Sequence, residues 1–246
     1  MHRSGQFGAE EEPAPAPWEA VARDRLGGAM RRFAGPLAEL VERGANEGDT
    51  RLLVTDFLSD ALNYNKYGEL TTEYRTKGES VDYGIVLDDE LFALVEVKPA
   101  GQSLDHRNLR QAKLQAVSES VKWVILTNGS VWQVHHLPHD ESGMSELIID
   151  VDVLDEDEDA RAVTVDALFH LSREAVQNGR LGDLRKWRAA LGPAPLADAL
   201  RSTSVVTAIR AELRRRTEHA GHAGDSDEII RALTDDVIAR GLLDQG

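Results

Sequence analysis

The chain has 246 residues, 41% hydrophobic and 29% charged, the balance of a water-soluble globular protein with room for one large core or a main domain and a smaller companion. It has no cysteine, so disulfides and thiolate metal sites are excluded and a reducing cytoplasm is the expected compartment. Net charge is -15, which argues against tight non-specific association with a duplex, and no apolar run approaches the length of a membrane span.

Residues 1–17 contain the alternation Pro13, Pro15, Pro17 and lack the apolar stretch of a signal peptide, so an extended, disordered leader is expected. From Trp18 to Gly44, apolar residues at Val21, Leu26, Met30, Phe33, Leu37 and Leu40 predict one or two helices, with a break expected at Gly35-Pro36. Asp49 is the expected cap of the next helix, which carries Leu52, Leu53, Phe57, Leu58 and Leu62. Asn63 to Gly68 is polar and turn-like.

The period then changes. Leu70 to Thr76, Ser80 to Leu87 and Leu91 to Lys98 read as strands, with turns at Lys77-Gly78 and Asp88-Asp89. Asp105 to Glu119 reads as a helix, and Val121 to Thr127 and Val131 to Leu137 as strands around the hairpin signal Asn128-Gly129. Ser145 to Val153 reads as an edge strand. Between Pro138 and Asp159 lie ten acidic residues and no basic one, so this segment supplies two-thirds of the net charge and is expected as a linker. Val163 to Gln177, Leu181 to Ala190, Leu196 to Arg216 and Asp227 to Leu243 read as helices, forming a helical domain over 160–246. Apolar faces such as Leu196, Leu200, Val205, Ile209 and Leu213 need a partner, and a homodimer through these helices is expected. The element order predicts an α/β fold, a mixed sheet flanked by helices followed by a C-terminal helical domain.

Charged residues inside an apolar strand need a reason, and Glu96 and Lys98 flank Val97 at the end of Leu91 to Val95. Side chains alternate along a strand, so both point to one face. If the strands of Asp82 and Glu96 pair, two carboxylates and an ammonium converge. Carboxylate oxygens suit Mg²⁺, and an ion there activates water. A structural Glu96–Lys98 ion pair at a sheet end is the plainer alternative.

The pattern Val81-Asp82 with Glu96-Val97-Lys98 resembles the PD-(D/E)xK nuclease superfamily, with Val81 in place of the proline. Upstream Asn46-Glu47-Gly48-Asp49-Thr50-Arg51, downstream Gln111, and Thr127-Asn128-Gly129 before Trp132 follow the order seen in the N-terminal nuclease domain of type I restriction enzyme R subunits. The resemblance covers residues 45–137 and implies a restriction-endonuclease-like core. It implies catalytic roles for Asp82, Glu96, Lys98, Glu47 and Gln111. It also implies Mg²⁺, with Mn²⁺ as substitute, held by Asp82, Glu96, the Val97 carbonyl and Glu47, and DNA as the partner cleaved. A defence setting in a bacterium is the family's usual one. The family often has a Tyr four residues after the Gln, and this chain has Gln115. No GxxxxGK[ST] loop is present, so the chain has no ATP-driven motor of that kind. A non-cleaving nucleic-acid-binding or protein-interaction module, and an oligomeric scaffold built on the C-terminal helices, are the alternatives.

Other clusters invite blander readings. His135 and His136 are neighbours on a strand and point to opposite faces, which makes joint ligation with His139 awkward. His219 and His222 sit in a Gly-rich loop with no cysteine near. Arg214 to Arg216 complement a helix C-terminus.

Overall fold

The computed structural model describes residues 15–75, 80–138, 145–155, 157–217 and 226–238. The expected leader up to residue 14, the Lys77-Gly78 turn, His139, and the loop with His219 and His222 fall outside them. The chain divides into two compact units, residues 1–184 and 185–246.

The first unit opens with α1 (Pro17–Glu42), which starts on a proline whose missing N–H costs a helix nothing at that place. The expected break does not occur, and Pro36 lies inside the helix. An interior proline costs about 3 kcal/mol. Here Leu26, Ala29 and Met30 before it, and Leu37 and Leu40 after it, bury on the same side, so one continuous helix keeps both halves in the core. Next comes α2 (Glu47–Asp56). Its cap is Asn46, whose side chain accepts the Asp49 N–H at 2.9 Å, and not Asp49 as expected. Asp49 instead lies in the first turn and pairs with Arg43 at 3.0 Å. A wider π-helical turn, Phe57–Ala61, extends α2 and buries Phe57, Leu58 and Ala61.

The sheet has six strands in sequence order: β1 (Leu70–Arg75), β2 (Ser80–Leu87), β3 (Glu90–Val97), β4 (Trp123–Thr127), β5 (Val131–His136) and β6 (Glu146–Asp152). All neighbours are antiparallel except β3 and β4. That parallel pair needs a crossover, which α3 (His106–Ser118) supplies. The β2–β3 turn places Asp88 and Asp89 at φ 50° and 65°, the left-handed geometry of a tight hairpin. The expected edge strand is β6, at one end of the sheet.

One face of the sheet carries the main core, where Leu26, Phe57, Tyr83, Val95, Trp132 and Phe169 come together. The other carries a smaller cluster of Val81, Leu94, Val124 and Leu137 under Ala112 and Ala116 of α3. The acidic run does not end the unit. Asp157 caps α4 (Glu158–Phe169) by accepting the Asp159 and Ala160 N–H groups. The single helix expected over Val163 to Gln177 is two, because Ser172 caps a new one, α5 (Arg173–Gln177). Leu168, Phe169, Leu171, Ala175 and Leu181 join the core, so the unit reaches past the expected boundary at 159. Arg180 pairs with Glu19, and Arg25 with Glu174, tying this stretch to α1.

The helix α6 (Arg180–Ala190) crosses into the second unit. That unit contains α7 (Pro193–Leu200), α8 (Thr203–Thr217) and α9 (Ser226–Ala232), the last continued by a π-helical turn to Ile238. The helix expected over Leu196 to Arg216 is broken at Arg201-Ser202. No helix among the described residues is long and apolar enough to cross a membrane.

Candidate active site

The site forms where the sheet ladder ends. The β2–β3 pairing runs from Leu87↔Glu90 to Tyr83↔Val95. One residue further, Asp82 takes over with its side chain: Oδ2 accepts the Val97 N–H at 2.7 Å. On the other flank of β2, Thr72 pairs with Tyr83 and Tyr74 with Val81, which leaves Asp82 opposite Glu73. Glu73 is left-handed at φ 49°, an interruption rare for a residue with a side chain. Asp82 therefore sits between two irregular strand neighbours, 8% exposed and held by a main-chain donor.

Its second oxygen meets α2. Arg51 Nη1 donates to Asp82 Oδ1 at 3.1 Å, while Arg51 Nη2 lies 3.7 Å from Glu73. The Arg51 turn of helix is tied to the sheet, because Tyr83 Oη donates to the Arg51 carbonyl at 2.8 Å. Burial pulls against the Arg51 charge, but Asp82, then Tyr83 and Glu73, outweigh it and raise its proton affinity.

Glu96 and Lys98 share a face as expected. Lys98 Nζ donates to Glu96 Oε1 at 2.6 Å and lies 3.8 Å from Glu47 Oε2. Glu96 is 7% exposed. Burial lifts its carboxyl above the ordinary range, against the Lys98 hydrogen bond and with help from the Asp82 and Glu47 charges. Burial works to lower Lys98, but Glu96, followed by Glu47 and Asp82, more than compensates, so the ammonium holds its proton more firmly than usual.

The chain after Lys98 is pinned from three sides. Its N–H donates to Thr127 O at 2.8 Å, and Ala100 N–H donates to the buried Thr50 Oγ1 at 2.9 Å. Asn128 Nδ2 donates to Gln102 O at 2.8 Å, while its Oδ1 accepts N–H groups of Ser130 and Val131. Gly129 has φ 91°, and a Cβ there would come within 2.9 Å of Leu37 Cδ1, so only glycine lets this turn lie against α1.

Four of the five expected catalytic residues are thus linked: Glu47, Glu96 and Lys98 directly, and Asp82 through Val97 and by charge. Gln111 is not brought in. It is exposed on α3, and its side chain makes no hydrogen bond among the described residues. One turn on, Gln115 is buried and donates to the Ser80 carbonyl at 3.5 Å, at the start of β2. The two positions lie on neighbouring turns of one side of the helix, but the buried stripe is Ala112, Gln115 and Ala116, and Gln111 falls at its exposed edge. Val97 enters through its N–H, whereas its carbonyl was the expected ligand. Glu73 and Thr50 were not anticipated. A left-handed glutamate has no sequence signal, and Thr50 reads as an ordinary first-turn residue.

Among the described residues no three His, Asp or Glu side chains lie close enough together to enclose an ion. His135 and His136 are buried at 7% and 8%. Arg215 and Arg216 both pair with Glu212 on their own helix. No known family, curated protein or solved structure matches this chain.

Proposed function

We propose that this site hydrolyses phosphodiester bonds in DNA with a divalent cation. The observation that carries the reading is the Lys98 ammonium set between Glu96 at 2.6 Å and Glu47 at 3.8 Å, beside an Asp82 fixed by a main-chain N–H. A plain sheet-end ion pair needs neither Glu47 nor a buried Asp82.

The donor chemistry fits Mg²⁺ or Mn²⁺. Asp82 and Glu96 offer hard oxygens, and Glu96 is buried beside the Asp82 and Glu47 carboxylates, where a cation would offset the cost of its charge. Asp82 and Glu96 would hold the ion, with Glu47 on its water shell. When bound, the ion supplies Lewis-acid polarisation of the phosphate and an acidified water. Lys98, whose carboxylate neighbours favour its charged form, would orient the attacking water and neutralise charge developing on the phosphate. Thr50 and Asn128 hold the segment after Lys98 in place. DNA as substrate follows from the resemblance to restriction-type nucleases. The net charge of -15 predicts weak non-specific binding.

One observation favours a second reading, a non-cleaving module of the same fold. Arg51 and Lys98 already pair with Asp82 and Glu96, so the cluster is satisfied without an ion. The discriminating experiment incubates the full chain with supercoiled, linear and single-stranded DNA in Mg²⁺, Mn²⁺ or EDTA. Cleavage that Lys98→Ala removes while Mn²⁺ still raises the melting temperature supports the nuclease. Absence of cleavage on every substrate in either metal supports the module. A homodimer through the C-terminal helices is part of the proposal, since two sites on one duplex suit double-strand cutting, and light scattering of the full chain tests it.

A further inference from the structure

We propose that Arg51 is a displaceable counter-ion, which occupies Asp82 in the metal-free protein and yields it when a divalent cation binds. The inference rests on the metal-dependent reading above and names the residue that regulates loading of that site.

The two oxygens of Asp82 have different partners and so different fates. Oδ2 is held by the Val97 main chain, which fixes the carboxylate whatever else happens. Among the described residues, Oδ1 is held by Arg51 Nη1 alone, at 3.1 Å. An incoming cation and the guanidinium compete for that oxygen, because a positive group already against it repels another. By linkage, the ion weakens the Arg51–Asp82 contact by the factor that Arg51 weakens the ion.

Arg51 is the group that moves, and Lys98 the one that stays. The Lys98 contact is shorter, 2.6 Å against 3.1 Å. The Lys98 side chain is also half as exposed, 15% against 31%. Arg51 has a second acid to retire to: Glu73, 65% exposed at 3.7 Å. Its helix turn does not need to shift, because Tyr83 anchors the Arg51 carbonyl and leaves the side chain free to swing. A guanidinium so released lies beside the site with a planar fork suited to a phosphate.

The test is calorimetric titration of Mn²⁺ into the EDTA-treated and dialysed full chain. Its variants are Arg51→Gln, Arg51→Lys, Asp82→Asn and, as a control for general charge, Arg43→Gln, whose arginine follows α1 and pairs with Asp49 of α2. The expected result is binding by the parent, loss in Asp82→Asn, and affinity up to about fivefold tighter in Arg51→Gln, the scale of one partly exposed ion pair removed. Arg43→Gln should match the parent. Arg51→Lys keeps the charge but loses the fork, and should bind more tightly than the parent by a smaller factor. That serves if Arg51→Gln does not fold by circular dichroism. Arg51 variants no tighter than the parent, with Asp82→Asn still abolishing binding, would overturn the counter-ion and leave the metal site standing. Equal tightening by Arg43→Gln would overturn it as a bulk charge effect. A parent that binds no Mn²⁺ would overturn both this inference and the metal-dependent reading.

Discussion

The two units bury their apolar residues very differently. In the first, Leu26, Phe57, Tyr83, Trp132 and Phe169, drawn from the whole length of the unit, meet in one core. In the second, Val206 is the only buried hydrophobic among the described residues, and α7 and α9 bury none. Trp187, Leu191, Leu196 and Leu213 stay 45–65% exposed. Both regions have helices with apolar residues at the right spacing. The difference is the sheet, which offers a broad surface on which helices distant in sequence bury together, whereas short helices have only each other's narrow stripes. A site that fixes charged groups within a few ångströms needs the stiffer surroundings, and it lies in the first unit.

The sharpest way to break this comparison is truncation. A chain ending at Ala190 should keep a cooperative melt. One ending at Asp159 loses Leu168, Phe169, Leu171, Ala175 and Leu181, each at most 2% exposed. At about 1.5–3 kcal/mol for each of the four large side chains, that loss is comparable with the roughly 5–15 kcal/mol that holds a typical domain, so this chain should not fold. Circular dichroism melts of the two decide it. Equal stability would mean that α4 and α5 are not part of the core.

Within the first unit, Trp132→Ala should cost about 3–5 kcal/mol in a urea titration. The indole is fully buried, packs on Phe57 with ring centroids 5.0 Å apart, and donates to Gly129 O, so its loss also loosens the turn beside the site.

Acid should strike the first unit selectively. Burial, with Lys113 adding, lowers His135 from its ordinary 6.5 to about 4. Below pH 6.5 the unfolded chain takes a proton that the folded one refuses, so stability falls from pH 6.5 to about 4 and levels off below. The scale is about 3 kcal/mol. Burial lowers His170 too, which adds to the loss. Glu96 works the other way. Its raised pKa contributes stability that is fully present below about 4.5 and lost as pH rises through the folded value. As pH falls across this range the parent should lose about 3 kcal/mol more stability than His135→Leu, and parallel curves would remove His135 as the cause.

The smallest effect is expected in the second unit. Leu213→Ala, at a side chain 49% exposed, should change stability by less than about 0.5 kcal/mol. A loss of several kcal/mol would show that this face is buried in solution.

Much of this was legible from residue order alone, where the governing physics is local. The period-two runs located the strands, Asp88-Asp89 and Asn128-Gly129 marked real turns, and strand alternation put Glu96 and Lys98 together. Each depends on neighbours within a few residues. What only the tertiary structure decided depends on contacts across the fold. Arg51 reaches Asp82 from 31 residues away. Val97 gives its N–H to a side chain because the ladder ends there. Gln115, not Gln111, is buried because the part of α3 that the sheet covers is the stripe Ala112, Gln115 and Ala116. The helix passes through Pro36 because burial on both sides outweighs the local penalty, and the first unit extends to Leu184 because α4 and α5 share its core. Propensity and periodicity are short-range terms of tenths to a few kcal/mol. Packing is a collective term, and where the two disagreed in this chain, packing prevailed.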